Sequence, residues 1–447
     1  MNYIIDNGIV VSEGAIGQRT VAIVDGRFAD ADEAGDALHI DATGCYVLPG
    51  VIDTHVHFRE PGLTEKADMG TESRAAVAGG VTSIIDMPNT IPQTTSLVTL
   101  EEKERLAADH CVVNYGFMLG ATNDNIGQLL AIAPQRYAAI KLFLGSGTGN
   151  MLVNDAAQLD RLFGESRKLI VAHCEEEQIV QANMATYRAQ YEGTPDETAA
   201  LHPKIRSSEA CFESTYKAIA RARRYGTRFH VAHLTTATEL SLLSNQDIDQ
   251  KHITAEVTPN HLWFDDRDYA TLGNLIKCNP AIKSNDDRLA LWAALHDGRL
   301  DTIATDHAPH TWESKQKNYF AAPGGIPSIQ HSLQMMLEPL FNDSVEETER
   351  AELIEVWLPL IVEKMCHNPA RIFGIRERGY VRMGYHADLV IVRPHVPVQV
   401  TKSTLRYKCG WSPLEGKTFH SQIVTTFVNG TPYSEGVNSA QPLQFSK

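Results

Sequence analysis

Between about residue 50 and residue 372, short apolar runs alternate with longer stretches whose apolar positions recur at helical spacing. The runs are Val51–His57, Val81–Asp86, Val112–Phe117, Ala138–Leu144, Leu169–His173, Phe229–His233, Ile253–Val257 and Thr302–Ala304. Helical stretches such as Leu100–Ala108, Ala156–Phe163, Glu209–Arg224 and Arg288–His296 lie between most of them. Eight strand–helix alternations over about 320 residues predict an α/β fold, a (β/α)8 barrel of the TIM type.

The two ends of the chain read differently. Tyr3–Ile5, Ile9–Val11, Thr20–Val24 and Tyr46–Leu48 are strand-like and are split by Asn7-Gly8, Asp25-Gly26 and Thr43-Gly44, which are hairpin signals. This segment is too short for a stable sheet domain of its own. Asp388–Val392 and Ile423–Val428 supply similar pieces near the other end. The expected organisation is a small β-sandwich domain composed of both termini, residues 1–49 plus 375–447, around a barrel at 50–374.

Barrel chemistry sits at the C-terminal ends of the strands, so the residues that end each run carry the functional reading. The first run ends in His55 and His57, which share a strand face because side chains alternate. Arg59 has the same parity, and a fixed cation just past two such groups suits an anionic substrate. Later runs end in Asp86-Met-Pro-Asn89, His173, His233, Glu256 and Asp306, and the fourth carries Lys141 within Ala-Ile-Lys-Leu-Phe-Leu. Four histidines, an aspartate and a lysine converging from five strand ends form a candidate two-metal site. His230 lies three residues before His233 and is expected to face the other way; His202 and His261 are expected off the site. A lysine inside an apolar strand is driven toward the neutral amine. Such an amine can react with CO2, and the carbamate has two oxygens able to bridge two metals.

Taken in order, Pro-Gly-Val-Ile-Asp-Thr-His-Val-His-Phe-Arg-Glu-Pro-Gly, Asp-Met-Pro-Asn-Thr, Ile-Lys-Leu-Phe, Ala-His-Cys-Glu and Thr-Asp-His-Ala-Pro-His resemble the amidohydrolase superfamily and, within it, the dihydroorotases. The resemblance spans nearly the whole chain. It implies reversible cyclisation of N-carbamoyl-L-aspartate to L-dihydroorotate and water, the third step of de novo pyrimidine (UMP) biosynthesis. It implies two Zn2+ per subunit, bridged by carboxylated Lys141 and a hydroxide, with His55, His57 and Asp306 on the first and His173 and His233 on the second. Asp306 is implied as the catalytic residue that moves the proton. Arg59, Asn89, Asn279, His310, Pro323 and Gly324 are implied substrate contacts. The stretch Gly145–Asn150 reads as a lid over the site, with Thr148 as a candidate contact.

Composition narrows the alternatives. The chain has 447 residues, 43% hydrophobic and 21% charged, with a net charge of −15. That charge disfavours nucleic acid and anionic membranes as partners. Seven scattered cysteines without a Cys-x-x-Cys pair fit reduced thiols in a cytoplasmic protein, and no signal peptide or membrane span is expected. The resemblance further implies a homodimer and possible association with aspartate carbamoyltransferase. The competing readings are allantoinase and a dihydropyrimidinase or hydantoinase. They share the metal chemistry, but their rings do not offer the carboxylate that Arg59 would read.

Overall fold

The computed structural model describes residues 1–147, 149–342, 346–434 and 437–446. Eight parallel strands form the barrel: Val51–Val56, Val81–Asp86, Asn114–Phe117, Ile140–Phe143, Ile170–His173, Phe229–Val231, Ile253–Val257 and Thr302–Ile303. Neighbours pair in register, for example Lys141 with Val171 and Phe143 with His173. Between strands three and four the chain steps over Met118, and Leu119 takes up the pairing with Ile140. The ring closes where the His57 amide donates to the His307 carbonyl at 2.8 Å. All four residues of strand four and all six of strand one are buried, as expected of strands covered on both faces.

The covering helices are set by their caps. Asp68 with Thr71, Ser96 with Thr99 and Ser284 with Asp287 make reciprocal capping boxes at the starts of Met69–Ala78, Leu97–His110 and Asn285–His296. Ser207 caps Ser208–Tyr225, which ends on Gly226 in the left-handed conformation. After strand six the crossover holds short 3-10 turns at Glu239–Leu242 and Ile248–Gln250 in place of a long helix.

Outside the barrel, two sheets enclose a second core. One is six-stranded, in the spatial order Thr431–Pro432, Thr418–Val428, Leu389–Gln399, Tyr46–Pro49, Ile9–Ser12 and Ala15–Gln18. The other is four-stranded, in the order Arg27–Ala29, Val21–Val24, Tyr3–Asp6 and Leu38–Asp41. Ile5, Val10, Ile23, Val47, Leu389 and Phe427 fill the space between them. The strands that the sequence pattern did not mark, Ala15–Gln18, Arg27–Ala29, Leu38–Asp41 and the two-residue Thr431–Pro432, are the edges. They are short; Ala15–Gln18 and Leu38–Asp41 are largely exposed, and Arg27–Ala29 buries only Phe28, so no buried face long enough to show an apolar alternation marks them.

Among the described residues, no helix is long and apolar enough to cross a membrane.

Candidate active site

A cavity of about 570 Å³ opens at the C-terminal ends of the barrel strands. Its wall includes His55, His57, Arg59, Asn89, Lys141, His173, His233, Asn279, Asp306, His310 and Gly324. Pro323 stands apart from the wall, and its carbonyl accepts a hydrogen bond from Lys315 at 3.0 Å. Thr148 lies outside the described residues; its neighbours Ser146 and Gly149 line the cavity.

Strand geometry alone does not aim these groups. Strand one ends at Val56 and strand six at Val231. Arg59, His233 and Asp306 each adopt a left-handed backbone, with φ of 67°, 36° and 48°. Non-glycine residues hold such conformations only where surrounding structure over-determines them, commonly at functional sites. Arg59 therefore reaches the cavity by a turn past the strand end, not by the alternation that its spacing from His57 suggested. His230 stays within the strand and bonds Thr254 Oγ1 at 2.7 Å. His202 and His261 are engaged by carbonyls of Cys278 and Pro280 at 2.7 and 3.1 Å and do not line the cavity.

Three of the four imidazoles in the cluster are oriented by a side-chain acceptor. His55 Nδ1 donates to Glu256 Oε1 at 2.7 Å, leaving Nε2 directed at Asp306 Oδ1, 3.3 Å away. His57 Nδ1 donates to Asn89 Oδ1 at 2.8 Å, leaving Nε2 2.9 Å from the same Asp306 oxygen. His173 Nε2 donates to Glu175 Oε2 at 2.7 Å, and its Nδ1 lies 2.9 Å from His233 Nε2. Glu175 is held in turn by Arg206, which also donates to Ser146 Oγ at 2.5 Å. The His233 Nδ1 atom is buried with no hydrogen-bond partner.

Burial lowers the pKa of His57 to about 4 and lowers those of His173 and His233, so these imidazoles are neutral at pH 7. Burial opposes ionisation of Asp306, yet its carboxyl stays below its usual range, with His57 Nε2 at hydrogen-bond distance. The cluster thus gathers neutral nitrogen lone pairs and an anionic oxygen at close quarters. Ligand atoms of His55, His233 and Asp306 all fall within 4.8 Å of one another. Lone pairs crowded in this way repel unless a cation lies between them, and N/O donors of this kind suit a divalent metal such as zinc.

Lys141 is 1% exposed and lies 5.1 Å from the centre of the Phe143 ring. Burial draws its pKa down to about 8, against the pull of Glu256 and Asp306. Arg59, also buried, donates Nε–H to the Pro309 carbonyl at 3.1 Å and sits 3.3 Å from His310 Nε2. It does not pair with Glu60, whose carboxylate is taken by the Met69 amide and His110. Burial lowers its pKa only to about 10, so it is charged at pH 7. Burial and the Arg59 charge push His310 down to about 2. Asn279 Oδ1 is buried beside the cavity without a partner.

Sequence reasoning noted Glu256 at a strand end but gave it no role, and it passed over Glu175 and Arg206. Their type and position give no signal on their own; only the contact with a cavity histidine does.

A profile of the amidohydrolase family matches residues 46–432. The chain is 32% identical over 434 residues to a dihydroorotase of Halobacterium salinarum, covering 94% of this chain and 96% of that one. It is 28% identical over 440 residues to an allantoinase of Salmonella paratyphi B, covering 96% and 94%. Among solved structures it resembles an L-hydantoinase (dihydropyrimidinase) from Arthrobacter aurescens, with TM-score 0.89, 26% identity and 99% of each chain covered.

Proposed function

Because this chain belongs to the amidohydrolase family and is a hydrolase of cyclic amides, we propose that its ring is L-dihydroorotate, formed reversibly from N-carbamoyl-L-aspartate. The observation that carries this reading is Arg59. A charged guanidinium buried in the wall of the same cavity as the His/Asp cluster, with the Pro309 carbonyl and His310 as its hydrogen-bond neighbours, is placed to receive an anion from the ligand. Dihydroorotate has a ring carboxylate that a guanidinium can bind through two parallel bonds. Allantoin and dihydrouracil have none.

In this reading His55, His57 and Asp306 would hold one Zn2+ and His173 and His233 a second, with carboxylated Lys141 as the ligand they would share. When bound, the metals supply hydroxide near neutral pH and polarise the amide carbonyl. The protein does the rest. Arg59, with His310 beside it, fixes the ring carboxylate. Asn89 presents its amide N–H2, since its carbonyl is used by His57. Asn279 and the Gly324 backbone meet the ring edge. In the hydrolytic direction Asp306 takes up a proton and delivers it to the ring nitrogen as the C–N bond breaks, and the former amide carbon becomes a carboxylate. In the synthetic direction it removes the proton from the carbamoyl nitrogen. The same reading includes a cytoplasmic homodimer able to associate with aspartate carbamoyltransferase.

The likeness to allantoinase and hydantoinase keeps a second ring in view. Zinc-loaded enzyme assayed on L-dihydroorotate, allantoin and dihydrouracil decides between them. The expected result is turnover of dihydroorotate, with kcat/KM falling about 100-fold in Arg59→Ala through loss of two charge-assisted bonds. Preference for a ring without a carboxylate would sink the substrate and leave the hydrolase.

Glu256→Gln is expected to weaken zinc binding by about 10–100-fold, because the carboxylate that orients and polarises His55 is gone. Activity measured against buffered free zinc should shift to higher zinc with kcat regained at saturation. An unchanged zinc dependence would remove Glu256 from that role.

A further inference from the structure

Behind the cavity wall lies Lys315, 1% exposed, at the end of the single helical turn Trp312–Lys315. That turn continues the loop that carries Asp306 and His310. The Lys315 ammonium donates to three main-chain carbonyls: Lys277 at 3.1 Å, Pro323 at 3.0 Å and Gly325 at 3.0 Å. An ammonium has three N–H donors and no acceptor, so the three carbonyls saturate it. Among the described residues no carboxylate pairs with it. The Trp411 ring centre lies 5.6 Å from Lys315 Nζ. Burial draws the amine's pKa down to about 7, so holding it here is costly, and simple packing at this spot needs only an apolar side chain.

The three segments it joins are those that build one side of the cavity. Residues 277–279 bring Asn279, residues 323–325 bring Gly324, and the strand-eight loop brings His310. Further bonds bind the same segments. The Gly325 amide donates to the Lys277 carbonyl at 2.8 Å, and His310 Nε2 donates to the Gly324 carbonyl at 3.0 Å. Lys277 Nζ anchors the far side of the loop through the carbonyls of Tyr319 and Ala322, at 2.6 and 2.5 Å. The fit leaves no slack. A Cβ added to Gly324 would stand 3.0 Å from Asn279 Oδ1, and one on Gly325, at φ 146°, would lie 2.3 Å from the Ala308 carbonyl. Lys315 itself does not line the cavity, so whatever it does to a ligand it does through these neighbours.

We propose that Lys315 is a positioning residue for the reaction: by tying three carbonyls together it sets the spacing between Asn279 and Gly324 that receives the edge of the substrate ring. The proposal rests on the cyclic-amide reading of the cavity and on those two contacts, not on which ring is bound.

The test is a double-mutant cycle in the zinc-loaded full chain, using Lys315→Met, Asn279→Ala and their combination. Lys315→Met is expected to raise KM about 10–30-fold with kcat within about 3-fold and zinc content unchanged, the signature of lost binding without lost chemistry. Lys315→Gln keeps two N–H donors and should raise KM less. The combined variant should show no more than the larger single effect, because both substitutions act on one contact. An unchanged KM in folded Lys315→Met overturns the proposal. So does multiplication of the two single effects, or a fall in kcat that tracks zinc loss. If Lys315→Met is insoluble, Lys315→Gln takes its place in the cycle; if neither folds, Lys315 is a folding residue and the proposal fails. A wild-type preference for allantoin or dihydrouracil overturns the choice of dihydroorotate instead, and the cycle is then read on the preferred ring.

Discussion

Asp306→Asn is expected to lower kcat by about 10³–10⁴-fold, because general acid–base transfer of this kind contributes about 10²–10⁴ and the carboxylate also supplies charge to the metals. The substitution suits the site. Asp306 holds φ 48°, a conformation that Asn tolerates nearly as well as Asp. The fold and the neighbouring contacts should therefore survive. What changes is the chemistry of one atom: the oxygen that lies 2.9 Å from His57 and 3.3 Å from His55 no longer belongs to a group able to accept a proton. KM for dihydroorotate should move far less than kcat, since the ring carboxylate is held elsewhere. Steady-state kinetics on the variant, with zinc content measured alongside, make the check. Retention of more than a tenth of wild-type kcat with both metals bound would transfer the proton to another group.

Lys141→Met should be nearly as damaging, with kcat down by about 10³-fold or more and bound zinc reduced, as expected when a bridging ligand is removed. Met is close to Lys in volume and apolar, so the barrel interior accepts it at little cost. A lysine that served only to fill strand four would then be dispensable, and the substitution would leave activity nearly intact. Burial at the cavity draws the amine's pKa down to about 8, which enlarges the neutral fraction able to react with CO2. A second measurement separates carbamate from plain amine. Wild-type enzyme stripped of metal and CO2 should regain activity faster when bicarbonate is added with zinc, and Lys141→Met should not respond. Reconstitution of wild type that is indifferent to bicarbonate would leave Lys141 as an unmodified amine.

These expectations rest on a site whose parts were unequally legible. His55, Lys141 and His173 stand within strands that the apolar runs already marked, and His57 follows one residue past the end of the first. Arg59 was named by strand parity and His233 and Asp306 by nearness to a strand end, yet their directions come from turns. Arg59 and His233 sit in left-handed backbone beyond the last paired residue, where strand parity has no force. Lys315 was not read as functional at all. Its partners lie at 277, 323 and 325, and carbonyls have no side-chain identity for a sequence to display.

The sequence by itself determined the barrel, because eight buried parallel strands require eight apolar runs and the helices between them require their own periodicity and caps. It also determined which groups with metal-binding chemistry lie at the strand ends. Tertiary structure decided the rest. The edge strands Ala15–Gln18 and Leu38–Asp41 exist because neighbours offer them free hydrogen-bonding groups, not because they bury a face. The nitrogen that His55 or His57 turns to the cavity is fixed by Glu256 or Asn89, residues distant in sequence and unremarkable in type. Local periodicity encodes which face is buried. Orientation within a polar cluster depends on contacts between segments, and those exist only once the barrel has closed.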